Sequence, residues 1–127
     1  MLKYTYEPNP KKSVKVFGSG LRISTKSSAV ICDEITGKQL DKGKRLLQDL
    51  VLQKRSLRGK YYTNVSKEIL NILQSAENNA EFKGLDPSKL HIHASAHKGF
   101  RFWRPRRFKV RRQRRKVTNI QFVLEVK

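Results

Sequence analysis

Of 127 residues, 29 are Lys or Arg and 10 are Asp or Glu, a formal net charge of +19 beside a hydrophobic fraction of 37%. That length supports one modest core and not two, while six Phe, four Tyr and one Trp exclude a wholly disordered chain. The charge repels itself in any compact state unless a polyanion neutralises it, and a phosphate backbone, which releases condensed counterions to Lys and Arg, suits it best.

Residues 1–6 lack the apolar run of a secretory signal, and no stretch is long and apolar enough to span a bilayer. A protein that stays in the cytosol without membrane insertion is therefore expected. Pro8 and Pro10 mark an extended arm, after which 13–24 reads as a strand interrupted by Gly18 and Gly20. Ser24 or Thr25 caps a short helix through Ala29, Ile31, Cys32 and Ile35, and Gly37 stops it by taking the left-handed conformation. Cys32 is the only cysteine, which excludes an internal disulfide and a Cys-rich zinc site, and its apolar neighbours place it in the core.

Asp41 is expected to cap a second helix, on which Leu40, Leu47, Leu50 and Val51 fall near helical spacing while Gly43 weakens the first turn. A basic loop over 54–60 follows. Val65, Ile69, Ile72, Leu73, Ala76 and Ala80 then recur with helical period, and the helix ends near 82–84, before the turn signal of Asp86 and Pro87. From there the period changes from 3.6 to 2. Leu90, Ile92, Ala94 and Ala96 alternate with His91, His93 and Ser95; Ile120, Phe122, Leu124 and Val126 alternate with Gln121, Val123 and Glu125. Two half-buried antiparallel strands are predicted, and the residues between them form a hairpin whose arms reach about 35 Å at ~3.3 Å per residue if the strands run on.

That intervening segment carries the chemistry. Over 98–116, eleven of nineteen residues are Lys or Arg and none is acidic, so a folded body over 1–97 and 117–127 is expected to project a basic hairpin. Arg presents a planar fork that takes a phosphate bidentately and stacks on bases, whereas Lys is a point charge. Phosphate contacts are therefore expected from Arg101, Arg104, Arg106, Arg107 and Lys109, and on the returning arm from Arg111, Arg112, Arg114, Arg115 and Lys116. Phe102, Trp103 and Phe108 are placed to stack on unpaired bases. The blander alternative has these aromatics covering the hairpin root. Lys11, Lys12, Lys15, Arg22 and Lys26 form a second basic patch, and Lys54, Arg55, Arg58 and Lys60 a third, each either an RNA contact or a solubilising surface.

His91 and His93 share a strand face near His97, but zinc usually takes four ligands and no partner lies close in sequence, so no metal is expected. No nucleophile with a base, carboxylate pair or Gly-rich phosphate loop stands at usable spacing, which argues against an enzyme and against any cofactor. A cationic membrane-active protein is a rival reading, but it needs a basic amphipathic helix, whereas Pro105 and flanking strand patterns mark this segment.

The order of features resembles the universal large-subunit ribosomal protein twenty-two family, in its archaeal and eukaryotic branch. The resemblance rests on Lys3, Tyr4, Thr5, Tyr6, Glu7, Pro8, Asn9 and Pro10, on Leu21, Arg22, Ile23 and Ser24, and on the stretch from Gly37 to Leu40 before a Leu-rich helix. It implies an α+β fold of three helices packed on a small three-stranded antiparallel sheet, with a long protruding basic β-hairpin. It also implies a structural role in ribosomes of the cytoplasm: binding large-subunit rRNA, supporting its assembly, touching neighbouring ribosomal proteins, and lining the nascent-peptide exit tunnel with the hairpin.

Overall fold

The computed structural model describes residues 2–106, 109 and 111–127. Strands β1 (Ser13–Leu21), β2 (Leu90–Lys98) and β5 (Thr118–Val126) form an antiparallel sheet in the order β1-β5-β2. The two segments that alternate with period 2 pair as expected, Leu90 opposite Val126 through Lys98 opposite Thr118. The last strand of the chain takes the centre, with β1 on its other edge from Ser13 opposite Glu125 to Gly18 opposite Ile120, then a register shift before Leu21 opposite Thr118. The shift falls at the glycines Gly18 and Gly20, where the sequence signalled an interruption, and Gly20 has φ +69.

Helices α1 (Thr25–Ile35), α2 (Leu40–Val51) and α3 (Thr63–Phe82) pack on one face of this sheet. The fold is thus α+β, three helices on three antiparallel strands. Of the two caps offered for α1, Ser24 serves: it is extended, and its hydroxyl accepts from the Ser27 N–H. Gly37, at φ +85, ends that turn as expected and donates its N–H to the Ile92 carbonyl at 2.7 Å, tying the end of α1 to β2. Asp41 is not the cap of α2. Gln39 holds that position without a side-chain bond, and Asp41 lies in the first turn, where its carboxylate meets the positive end of the helix dipole. Gly43 does more than weaken that turn: it is buried, and a Cβ there would stand 2.6 Å from Ile92 Cδ1, so its lack of a side chain lets α2 approach β2.

Both long helices end alike. After α3, the Gly84 N–H bonds the Glu81 carbonyl and the Leu85 N–H the Ala80 carbonyl; after α2, Gln53 and Lys54 make the same pair of bonds to Leu50 and Asp49. This Schellman geometry requires a left-handed residue, which glycine supplies at 84 (φ +80) and Gln53 supplies at φ +59. Between helices and sheet lie Ile31, Ile35, Leu40, Leu47, Leu50, Ile69, Leu73, Leu90, Ile92, Ile120, Phe122 and Leu124, all fully buried. Cys32 joins them, and burial pushes its thiol up to about 12, so it is inert and neutral in the core.

The opposite face of β5 is covered as well, which its alternation does not announce. The N-terminal arm crosses it: Gln121 donates to the Lys3 carbonyl at 2.8 Å and accepts from the Thr5 N–H at 3.2 Å. Tyr6 donates to Glu125 Oε2 at 2.7 Å and stacks its ring on His93 with centroids 4.0 Å apart. Gln121 and Val123 are buried in consequence. No helix among the described residues is long and apolar enough to cross a membrane.

Candidate nucleic-acid interface

Beyond Lys98 and Thr118 the chain leaves the sheet. Gly99 keeps one link, its N–H donating to the Val117 carbonyl at 2.9 Å, and pairing resumes in a separate two-stranded ladder of β3 (Phe102–Trp103) with β4 (Arg114–Arg115). Phe102 stands opposite Arg115 and Trp103 opposite Arg114, followed by the Arg104 N–H on the Gln113 carbonyl at 3.0 Å. The hairpin is therefore built, but its ladder is shorter than two strands running on without interruption. Pro105, which has no N–H to donate, follows the last of these bonds.

Farther out, Arg106, Lys109, Arg111 and Arg112 line a cavity of about 810 Å³. Arg112 sits at φ +66 and turns the chain there. Apart from Gly99 and Arg115, every described residue over 98–116 is exposed. The ion pairs among the described residues are Lys38–Glu34, Lys44–Glu77 and His93–Glu125, and none involves this segment. Among the described residues its cations have no carboxylate partner, an arrangement that a line of phosphates neutralises. Arg107 and Phe108, expected to touch RNA, lie outside the described residues.

At the hairpin root the aromatics have partners within the protein. The guanidiniums of Arg22 and Arg115 lie over the Phe102 ring, 5.4 and 5.7 Å from its centroid, and Phe100 packs over Gly20, where a Cβ would meet its ring at 2.9 Å. Phe102 thus ties the hairpin to the end of β1 while remaining 42% exposed. Trp103, 53% exposed with Arg114 over its ring at 5.9 Å, offers the more open stacking surface. A cleft of about 330 Å³ opens beside the root, bordered by Lys26 at the start of α1 and by Lys98, Arg101, Arg114, Arg115 and Lys116. Arg115 Nε is buried there without an acceptor among the described residues.

The second basic patch does not stay together. Arg22 and Lys26 join the hairpin root, whereas Lys11, Lys12 and Lys15 lie at the other end of β1, where Ser13 pairs with Glu125 and not with the hairpin end of β5. Lys15 borders a cleft of about 570 Å³ with Pro10, Asn79, Lys83 and Phe82, whose side chain is 97% exposed. Sequence periodicity missed this surface because the strand pattern reports faces, not ends. It also missed Lys42 and Arg45, which border a groove on α2 together with Arg55 of the third patch.

The histidines do not converge on a metal. Among the described residues no three His, Cys, Asp or Glu side chains are arranged to hold one. His93 lies under Tyr6, with Nε2 3.7 Å from Glu125. Burial, with Lys127 beside it, holds its pKa below the ordinary 6.5 against the opposing pull of Glu125.

Comparison with known proteins agrees with this geometry. A family model described as Ribosomal protein L22p/L17e matches residues 16–125. The large ribosomal subunit protein uL22 of Methanocaldococcus jannaschii is 33% identical over 147 aligned positions, which take in 98% of this chain and 94% of that protein. The protein of the same name from Archaeoglobus fulgidus is 32% identical, covering 99% of this chain and 97% of its own length, and that of Methanopyrus kandleri 35% identical, covering 80% and 79%. The first alignment is longer than the chain's 127 residues, so that relative carries segments this chain lacks. With a match along 16–125 and relatives of about one-third identity over nearly its whole length, the chain belongs to the L22p/L17e family of large-subunit ribosomal proteins.

Proposed function

We propose that this protein binds large-subunit rRNA, supports its assembly and lines the nascent-peptide exit tunnel with the hairpin over 98–116, carried by a folded body over 1–97 and 117–127. Arg101, Arg104, Arg106, Lys109, Arg111, Arg112, Arg114, Arg115 and Lys116 contact phosphates, and Trp103 stacks on a base. Arg22 and Lys26 extend this contact from the body. The nascent peptide and neighbouring ribosomal proteins are its other partners, the ribosomes of the cytoplasm its location, and it acts by binding alone, with no reaction catalysed and no cofactor.

One observation carries the reading: a projecting segment of cations with no carboxylate partner among the described residues. Neutralising roughly six phosphates on duplex-like RNA gives a log-log salt slope near −5. The test is sedimentation of a cell lysate in magnesium and moderate salt, with the protein followed by immunoblot. Co-migration with large subunits, lost when Arg104, Arg106, Arg111 and Arg112 are all replaced by Ala, is expected. Migration at the top of the gradient by the unaltered chain overturns the reading.

A further inference from the structure

The two edges of the three-stranded sheet are finished differently. In an antiparallel sheet the backbone groups of one residue point to a given neighbouring strand and those of the next point away from it. On β2, the Ile92 N–H bonds the Lys38 carbonyl, the Ile92 carbonyl accepts from Gly37, and the Ala94 N–H bonds the Thr36 hydroxyl. These residues therefore face outward, and the stretch over 36–39 covers them. Their partners in register, Leu124 and Phe122, must turn toward β1, where they stand opposite Val14 and Val16. Val14 and Val16 thus use their backbone on β5, while Ser13, Lys15 and Phe17 point theirs away from the sheet.

Ser13 is answered, since its carbonyl accepts from Lys83 Nζ at 2.7 Å. Lys15 and Phe17 are not. Each brings one N–H and one carbonyl to the edge, and among the described residues none of these groups has a hydrogen-bond partner. The register shift that blunts this strand comes only after Gly18, so the open stretch is regular. Beside it lies the cleft of about 570 Å³ between β1 and the end of α3, with Pro10, Val14 and the protruding Phe82 as its apolar lining. Lys15 and Lys83 are its charged residues, and no carboxylate borders it. Lys83 gives two of its three donors to the Pro10 and Ser13 carbonyls and keeps one. An open edge strand with a pocket for alternate side chains beside it is the arrangement that takes up an extended peptide as an added strand.

We propose that the edge of β1 binds an extended acidic segment of another protein, which adds to the sheet as a fourth strand over 15–17. A residue directly opposite Lys15 shares its face of the sheet, so a carboxylate there meets the Lys15 ammonium. The residues on either side of it point to the other face, where Val14 and Phe82 offer apolar contact. Charge settles the composition of the partner: Lys11 and Lys12, just before the strand, are exposed as well, and none of these four lysines belongs to an ion pair among the described residues. A second copy of this chain would set +19 against +19 and is disfavoured. An RNA strand lacks the alternating donors and acceptors that backbone groups at i and i+2 require, and has no aliphatic side chain for the cleft. The inference stands apart from the proposed RNA contact, because it uses neither the hairpin nor its cations.

The test is amide hydrogen exchange, read by NMR on the full chain. The probe is a peptide of about six residues, the usual strand length, in which glutamate alternates with valine around one phenylalanine. In the free protein the amides of Lys15 and Phe17 should exchange faster than those of Val14 and Val16, and the probe should slow the first pair by about tenfold. The same peptide methylated on its glutamate nitrogens keeps its charge but loses the ladder bonds, and should bind about tenfold more weakly. Lys15→Pro, which deletes an outward N–H at an edge position that tolerates proline, should weaken the probe more than Lys15→Ala, which deletes only the charge; far-UV circular dichroism checks that each variant is folded. The proposal is overturned if the probe binds without protecting these two amides, if the methylated peptide binds equally well, or if the probe does not bind. It is overturned in favour of RNA if a uridine oligomer protects them as well as the peptide does. Protection already present in the free chain also overturns it, and a dimer in sedimentation equilibrium then gives the edge to a second copy.

Discussion

Strand β5 and the basic segment that feeds into it are neighbours in the chain with opposite surroundings. In β5, Ile120, Phe122 and Leu124 are fully buried, Gln121 finds three hydrogen-bond partners, and Glu125 meets Tyr6 and His93. Over 98–116, exposure is the rule and the cations go without carboxylates among the described residues. Hydrophobic burial and satisfied polar groups hold the first region within the protein; the second leaves its like charges exposed to solvent, where they repel one another. A change in β5 is therefore expected to register as lost stability and, under the proposed function, a change in the hairpin as lost affinity.

The largest effect should come from the core. Phe122→Ala removes a fully buried ring from the central strand and should destabilise the fold by about 3–5 kcal/mol in urea denaturation. A loss under about 1 kcal/mol would mean that β5 is not the centre of the core. The hairpin should behave in the opposite way. Replacing Arg104, Arg111, Arg112 and Arg114 together by Ala should shrink the log-log salt slope of single-strand RNA binding by about 3, at about 0.7 per phosphate contact. The urea midpoint should stay level or rise slightly as like charges are removed; a clear fall would show that these arginines support the body.

A smaller effect probes the contact between α2 and β2. Gly43→Ala gains helix propensity but drives a methyl toward Ile92 Cδ1, and should cost about 1 kcal/mol net. Ile92→Val deletes that same atom, so the double variant should lose less than the sum of the two single losses. Strict additivity would refute the close approach. The smallest effect concerns pH. Because the folded pKa of His93 is depressed, the unfolded chain takes up the proton first, so stability declines as pH falls through 6.5 and levels off below the folded value. His93→Phe, which keeps an aromatic against Tyr6, should flatten that decline in thermal melts at pH 7 and 5; an unchanged decline would place its origin elsewhere.

What the residues determined by themselves was local. Period-2 alternation over 90–96 and 120–126 found β2 and β5, helical spacing found α3, and Ser24, Gly37 and Gly84 marked ends that the backbone then takes. Each follows from neighbours within a turn or a strand, where sterics, capping and burial act over a few residues. The basic segment was legible for the same reason, since a run of cations is visible without knowing the fold. The N-cap of α2 was misplaced by one element of local logic: a good capping residue stood nearby, yet packing of Leu40 at 0% exposure began the helix earlier and left Gln39 at the cap. Tertiary structure alone decided which strand lies in the centre, that the N-terminal arm seals the second face of β5, that Gly43 is a contact, and that the second basic patch divides between the two ends of β1. It also brought Arg55 beside Lys42 and Arg45. These facts depend on residues ten to more than a hundred positions apart, whose meeting is set by the shared burial of the whole core, and no local pattern in the chain encodes it.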